Sequence, residues 1–285
     1  MPITYKRKIQ RHSNILYTII TAILICAIFI SMVTSFYKDA ENEAYEMLHI
    51  QTKQIKDDLT LQIKSDRENL VTMANFAAKL YADGEGYDLM FESFKPIGLF
   101  SNIGILNPDN TFVTKMGSVD LNGKISFEDE ASRGAYISGR IPDLTQGRKE
   151  IIKSAVPIKV NDKTVGVLYG VIHLDTIGEK YNKMAKELDA QLFVYDKETG
   201  KFVIDTVDKN PGELSEFKSR EYNDGYSYET LVTTDKGCSS FKSIFTGEDL
   251  YVHYSTLEDF DWCICLPAMK RRCLKIQTKY LRTCL

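Results

Sequence analysis

A chain of 285 residues, 44% hydrophobic and 26% charged with a formal charge of −3, is long enough and apolar enough to bury a core. The charge is unevenly placed: residues 1–14 carry +4, residues 267–285 carry +6 with no acid, and the residues between them carry −13. That acidic middle excludes nucleic acid as the main partner, because phosphate recognition needs a basic footprint.

Residues 1–14 form a basic segment with Lys6, Arg7, Lys8 and Arg11. Residues 15–36, ILYTIITAILICAIFISMVTSF, contain no charge, proline or glycine. As a helix this run spans about 33 Å at roughly 1.5 Å per residue, against a hydrocarbon core of about 30 Å. A helix is also the only single segment that leaves no backbone group unbonded in lipid. A cleaved secretory signal would have a shorter apolar run and a small-residue exit, whereas this one leaves through Met32-Val33-Thr34-Ser35-Phe36. Asp39, Glu41, Glu43 and Glu46 follow the run, so the charge asymmetry predicts a single-pass membrane protein with its N-terminus in the cytoplasm and its bulk outside.

Residues 37–83 lack proline and, in 37–82, glycine; Ala, Glu, Lys, Gln and Leu dominate, which predicts one long exterior helix. Ala44, Met47, Leu48, Ile55, Leu59, Ile63, Leu70, Met73, Ala77 and Leu80 recur at steps of mostly three, four or seven, a face that must pack on the following domain or on the same helix of a second copy. Asp83-Gly84-Glu85-Gly86 should stop the helix.

Short β-rich runs follow. Ser101–Leu106, the turn Asn107-Pro108-Asp109-Asn110 and Thr111–Thr114 read as a hairpin, and Met116–Gln146 as a looser polar stretch. Ile151–Ile158, the turn Asn161-Asp162-Lys163 and Thr164–Ile172 form a second antiparallel pair, after which Asp175 is placed to cap a helix from Thr176 to Leu188. The plan recurs in Gln191–Tyr195, Lys201–Asp205, Ser239–Phe245, Leu250–Leu257 and Asp261–Leu266. Two copies of one α+β unit therefore stand in tandem. The expected domains are 84–178, far from the membrane, and 179–266, near it, with a basic tail over 267–285. The change in composition at Pro267 is abrupt enough to suggest a frameshifted or shortened copy of a longer gene, the alternative being a basic tail resting on anionic lipid.

Six cysteines make no disulfide framework: Cys26 lies in the apolar run, Cys273 and Cys284 in the tail, and Cys238, Cys263 and Cys265 outside. Cys263 and Cys265 would share one face of a strand with no histidine nearby in sequence, so buried free thiols are expected rather than a metal site.

A membrane span, a long exterior helix and two tandem PAS-like sheets together resemble the double Cache sensor domain, as found in the exterior halves of bacterial diguanylate cyclases and related receptors. The resemblance is carried by Ser154-Ala155-Val156-Pro157-Ile158, Val165–Ile172, Tyr195-Asp196-Lys197-Glu198-Thr199-Gly200 and Asp261-Trp262. It implies a small-molecule pocket in the membrane-distal sheet, where the preceding loop offers Arg133, Tyr136 and Arg140 and the strands offer Ser154 and Tyr169. A guanidinium suits a carboxylate, while tyrosines supply an apolar wall with a polar tip. Equally, Tyr136 and Tyr169 are core aromatics and Arg133 serves a surface turn. An amino-acid-binding subgroup carries Arg-x-Trp-Tyr in this loop and an Asp late in the strand for the ammonium; here Ala135 and Val171 stand at those positions, which argues against an α-amino acid.

The resemblance implies a sensor, not an enzyme, needing no cofactor and dimerising through its long helix. His12, His49, His173 and His253 are scattered, and the chain has no His-Glu-x-x-His, no Gly-x-Ser-x-Gly and no Gly-Gly-Asp-Glu-Phe. Asp120, Glu128, Asp129 and Glu130 are expected to form a solvated acidic face. An anchored scaffold or adhesion module, and more remotely a cell-surface hydrolase, are the competing functions.

Overall fold

The computed structural model describes residues 3–121, 123–145, 150–188, 190–207 and 212–270, with side chains from Leu16 onward. The described chain falls into two units, one ending at Met47 and the other beginning at Leu48.

In the first unit, helix α1 (Ile3–Ala82) carries the apolar run. Ile23, Ile25 and Phe29 are all more than 60% exposed, and among the described residues this is the one helix long and apolar enough to cross a membrane. Two of its hydroxyls are satisfied by the helix itself: Thr21 donates to the Tyr17 carbonyl at 2.8 Å and Thr34 to that of Ser31 at 2.9 Å.

In the second unit, α1 buries Leu48, Ile55, Leu59, Ile63, Leu70, Ala77 and Leu80 within its own chain. The helix ends at Ala82 in a Schellman motif: the Glu85 N–H donates to Leu80 O (2.8 Å), the Gly84 N–H to Tyr81 O (3.2 Å), and Gly84 takes φ +73°. Helix α2 (Asp88–Ser93) then leads to the first sheet.

That sheet contains β1 (Asn102–Leu106), β2 (Thr111–Thr114), β3 (Gly117–Asp120), β4 (Tyr136–Ile137), β5 (Ile141–Pro142), β6 (Glu150–Val160) and β7 (Lys163–His173), in the order β3-β2-β1-β7-β6-β4 with β5 also on β6. Helix α3 (Phe127–Arg133) lies between β3 and β4. The stretch expected to be loose thus holds four short elements. β3 is exposed at every position and has no apolar alternation to betray it. α3 is only seven residues long.

Helix α4 (Leu174–Glu187) starts two residues before the expected point, with His173 at the cap position. Asp175 lies inside the first turn, where it accepts from the Thr176 N–H at 2.8 Å, so it does not cap the helix. The second sheet is built from β8 (Phe193–Asp196), β9 (Phe202–Asp205), β10 (Lys236–Lys242), β11 (Asp249–Leu257) and β12 (Trp262–Met269), in the order β10-β11-β12-β8-β9. A 3₁₀ segment (Leu214–Ser219) and helix α5 (Tyr228–Thr233) fill the link between β9 and β10. β12 runs to Met269, so Pro267, Ala268 and Met269 belong to the sheet, while the remainder of the basic tail after Lys270 lies outside the described residues.

The order β2-β1-β7-β6-β4 in the first sheet matches β9-β8-β12-β11-β10 in the second, so the repeat expected from sequence is one of topology. The fold is α+β: a long N-terminal helix followed by two antiparallel sheets. Their interiors differ. The second is packed with the rings of Phe193, Phe202, Phe217 and Phe241, whose consecutive contacts have centroids 5.3–5.6 Å apart, and it encloses the fully buried Cys263 and Cys265. Burial pushes both thiols above their ordinary range.

Candidate functional site

Strand alternation decides what faces the first core. On β6, Ile151, Lys153 and Ala155 share one face; across the ladder Lys153 pairs with Val171 and Ala155 with Tyr169. α3 covers that face. Its start is fixed by Ser126, whose hydroxyl accepts from the Asp129 N–H at 3.3 Å, and by Asn110, whose side chain accepts from the Phe127 N–H at 2.7 Å. Gly134, at φ +74°, turns the chain from α3 toward β4.

This arrangement sinks Glu130 into the protein at 5% exposure. One of its oxygens, Oε2, accepts from the hydroxyls of Tyr136 and Tyr169, each at 2.6 Å, and from Lys153 Nζ at 2.8 Å. The Lys153 ammonium lies 4.6 Å from the Tyr169 ring centroid and 5.5 Å from that of Tyr136. Arg133 stands at the rim, 5.5 Å from the Tyr136 ring and 3.7 Å from Glu130 Oε1.

Burial alone would push the Glu130 pKa up, but the three donors outweigh it and hold the carboxyl below its ordinary range. Burial lowers the Lys153 pKa while Glu130 works against that shift. The two partners do not move symmetrically, and the donor set makes the ionised carboxylate the better-supported half. Burial and the adjacent carboxylate both raise Tyr136 and Tyr169, keeping them protonated as donors.

Beside this cluster is a cavity of about 50 Å³. Phe112, Leu121, Ile125, Ile141, Leu144 and Val171 give it an apolar wall, Lys153 and Tyr169 join it to the charged cluster, and Asp143 and Thr145 supply further polar groups. Asp143 accepts from the Thr145 N–H (2.7 Å) and hydroxyl (2.6 Å).

Of the residues singled out from sequence, Arg133, Tyr136 and Tyr169 meet around Glu130. Ser154 does not join them: it is opposite Gly170 on the other face of the ladder, the face toward the Phe100 ring. Arg140 also points elsewhere, pairing with Glu150 and donating to the Gly212 carbonyl at 3.2 Å. Glu130 is not part of a solvated face, because α3 turns it inward with Phe127 and Ala131 while Glu128 and Asp129 stay exposed. Lys153 escaped the sequence reading altogether. The available signal was its place between Ile151 and Ala155 in a strand buried on both faces, where a lysine needs a partner.

Two ties join the site to its surroundings. Arg67 of α1 donates to the Ala135 carbonyl at 2.9 Å, between Arg133 and Tyr136. Gly139 approaches the second sheet so closely that a Cβ there would lie 2.5 Å from Asp196 Oδ2.

No protein-family profile matches the chain, and no curated protein matches it. Solved structures do. The ligand-binding domain of the Pseudomonas fluorescens chemoreceptor CtaA, in complex with L-isoleucine, superposes with a TM-score of 0.60 at 15% identity, covering 85% of this chain and 98% of that one. The ligand-binding domain of the Pseudomonas aeruginosa PAO1 amino acid chemoreceptor PctB, with L-Arg, gives 0.57 at 16% identity over 82% and 97%. The extracellular domain of the putative histidine kinase soHK1S-Z6 gives 0.60 at 17% identity over 84% and 98%. At such identities the likeness is one of fold, and the fold is that of double Cache ligand-binding domains of chemoreceptors and histidine kinases.

Proposed function

We propose that this chain is a membrane-anchored sensor whose exterior part binds a small ligand in the first sheet. The observation that carries the reading is the cavity lined by Lys153 and Tyr169, both bonded to Glu130 of α3, with the link from α3 to β4 held to α1 by Arg67. A ligand that repositions the loop would act directly on the helix leading back to the apolar run, the kind of differential contact that shifts a two-state equilibrium.

The ligand class follows from the lining. At roughly 10–15 Å³ per water-sized atom the cavity holds about four such atoms, so the body is small and aliphatic. Lys153 has donors beyond the one given to Glu130 and is the group suited to a carboxylate head. Val171 presents no acid to an ammonium, and Glu130 already accepts three donors. Short-chain carboxylates without an α-amino group therefore fit better than the amino acids carried by CtaA and PctB. Ser154 and Arg140 act around the pocket rather than in it, Arg140 by tying the loop to Gly212.

The same reading places residues 1–14 in the cytoplasm, 15–36 in the bilayer and the rest outside, with residues 84–178 distal and 179–266 proximal to the membrane. Ile50 and Leu61, exposed at 59% and 70% and about three helical turns apart on α1, give a second copy an apolar face for a homodimer. Either a cyclase-type or a kinase-type output suits the fold.

The test is thermal unfolding of the detergent-solubilised full chain against acetate, propionate, butyrate and valerate and their α-amino counterparts. A bound acid at about 100 times its Kd stabilises by about 2.7 kcal/mol. Val171→Phe, which fills the cavity and leaves the charged cluster in place, should abolish the shift, as should Lys153→Met. No shift with any acid, or an unchanged shift in both variants, overturns the assignment; a shift confined to the amino acids overturns the ligand class.

A further inference from the structure

The sequence pattern extends β10 to Phe245, but the strand stops at Lys242 and residues 243–248 form a turn that holds two large apolar side chains in water: Ile244 is 65% exposed and Phe245 70%. The turn is firmly built. Ser243 Oγ accepts from the N–H groups of Phe245 (3.3 Å) and Thr246 (3.4 Å), the Ser243 N–H donates to Glu248 O at 2.8 Å, and the Gly247 N–H returns to Ser243 O at 2.8 Å with Gly247 at φ +68°. Single exposed apolar residues are ordinary on a protein surface. Two adjacent ones on an ordered turn, with none of the described residues covering them, call for an occupant.

The position of the turn identifies one. Along α1 within the second unit, His49 meets His253, Lys56 meets Glu258 and Lys64 meets Asp259, so the helix runs up β11 and its beginning lies toward the β10–β11 turn. The chain enters the unit at that end from the apolar run, with only residues 37–47 between. β12 finishes at the same end, Met269 opposite Leu250, and delivers Lys270 there. Lys242 and Lys270 flank the turn, paired with Glu221 and Asp249.

We infer that Ile244 and Phe245 insert into the headgroup region of the bilayer that holds the chain, making the β10–β11 turn a second membrane contact. The apolar pair matches the interfacial acyl boundary, and Lys242 and Lys270 on either side of the turn are groups that lipid phosphates can engage. A second copy of the chain is the poorer occupant: a stable protein interface buries about 800 Å² per partner, and past these two side chains the turn continues into the polar Thr246, Gly247 and Glu248. The contact would fix the height of the second sheet above the lipid, so that α1 moves against a sheet resting on the membrane.

The inference rests on residues 15–36 spanning the bilayer, and the experiment separates the two. The full chain is reconstituted in nanodiscs of phosphatidylcholine and phosphatidylglycerol with brominated acyl chains, and quenching is read from a tryptophan introduced by Phe245→Trp. The native Trp262, 1% exposed on β12, is the unquenched reference. Glu198→Trp, exposed in the β8–β9 turn at the far end of the sheet, is the solvent control, and Ile25→Trp the control for the span. The Phe245→Trp emission should shift to the blue and lose about half its intensity to the brominated chains, as expected for insertion to about 5–10 Å, while Glu198→Trp is unaffected. Quenching of Ile25→Trp without quenching of Phe245→Trp overturns the turn contact alone. No quenching of either overturns the membrane reading and the inference with it. A blue shift of Phe245→Trp that grows with protein concentration, without quenching, assigns the turn to a protein interface and likewise overturns it.

Discussion

His253 on β11 is 6% exposed, and its Nε2 lies 3.0 Å from Nδ1 of His49 on α1. One imidazole donates to the other, an arrangement available only while at least one ring is neutral. Cys238 faces His253 across β10 and Leu266 across β12, and neither supplies a compensating charge. Burial, and secondarily the His49 charge, pull the His253 pKa down to about 4 from an ordinary value of 6.5. The unfolded chain therefore takes up a proton below pH 6.5 that the folded chain refuses until about pH 4. Stability from this group is complete above pH 6.5 and falls as pH drops, by about 1.4 kcal/mol per pH unit and about 3 kcal/mol in all. Urea unfolding of the full chain in mild detergent, followed through the single Trp262 of the same sheet, reads the effect directly. The useful window is pH 6.5 to about 5.5, above the range in which ordinary carboxylates begin to protonate. His253→Phe keeps an aromatic ring in place and should remove about one proton's worth of slope across that window. An unchanged slope in the variant would refute the argument.

Tyr169→Phe removes one of the three donors to Glu130 and should cost about 1.5–3 kcal/mol of unfolding free energy, the range for a hydrogen bond to a charged group. Gly104→Ala would bring a Cβ to 2.2 Å from the Phe112 ring, and since that ring lines the cavity, thermal unfolding should show both lower stability and a smaller ligand shift. At Gly98, φ is +60° and a Cβ would meet Asp66 Oδ1 at 1.8 Å, so Gly98→Ala should destabilise by at least about 2 kcal/mol in urea. Asp66→Asn, which retains an acceptor for the Leu99 N–H without a buried charge, should cost far less by the same measurement.

The readable parts of the sequence were those with a strong period or an unambiguous turn. The apolar run, the α1 stripe, the Gly84 stop and the β6–β7 pair around Asn161-Asp162 all appear in the structure within a few residues. β3 and α3 were hidden because a solvent-exposed edge strand and a two-turn helix bury too little to leave a pattern. The site divided along the same line. Arg133, Tyr136 and Tyr169 were visible as side chains suited to a pocket, but Glu130 looked like one acid of a charged loop, and its burial depends on α3 packing that only the tertiary structure supplies. Ser154 is one residue out of phase with the pocket, and in a strand one residue is the difference between the pocket face and the face toward Phe100.

The two halves share a topology and differ in how their interiors are filled. Both sheets have the same five-strand order, yet the first leaves a cavity beside a charged cluster while the second closes its interior with four phenylalanines and two buried thiols. A closely packed interior transmits displacement without absorbing it. The charged cluster constrains any ligand there: Glu130 is buried, so a head group that engages Lys153 has to use the ammonium donors not given to Glu130 rather than displace it. Lys153 stands across the ladder from Val171, so the charge at this corner is opposite to that of a site with an ammonium-binding Asp at position 171. Placing Asp there should therefore do more than restore a missing group. Val171→Asp sets a carboxylate beside Lys153 and in competition with Glu130, and two outcomes separate the roles. If Lys153 is the head-group anchor, the variant loses its response to simple carboxylates because the anchor is neutralised from within. If the response persists unchanged, Lys153 serves only Glu130, and the anchor must be sought at Arg133.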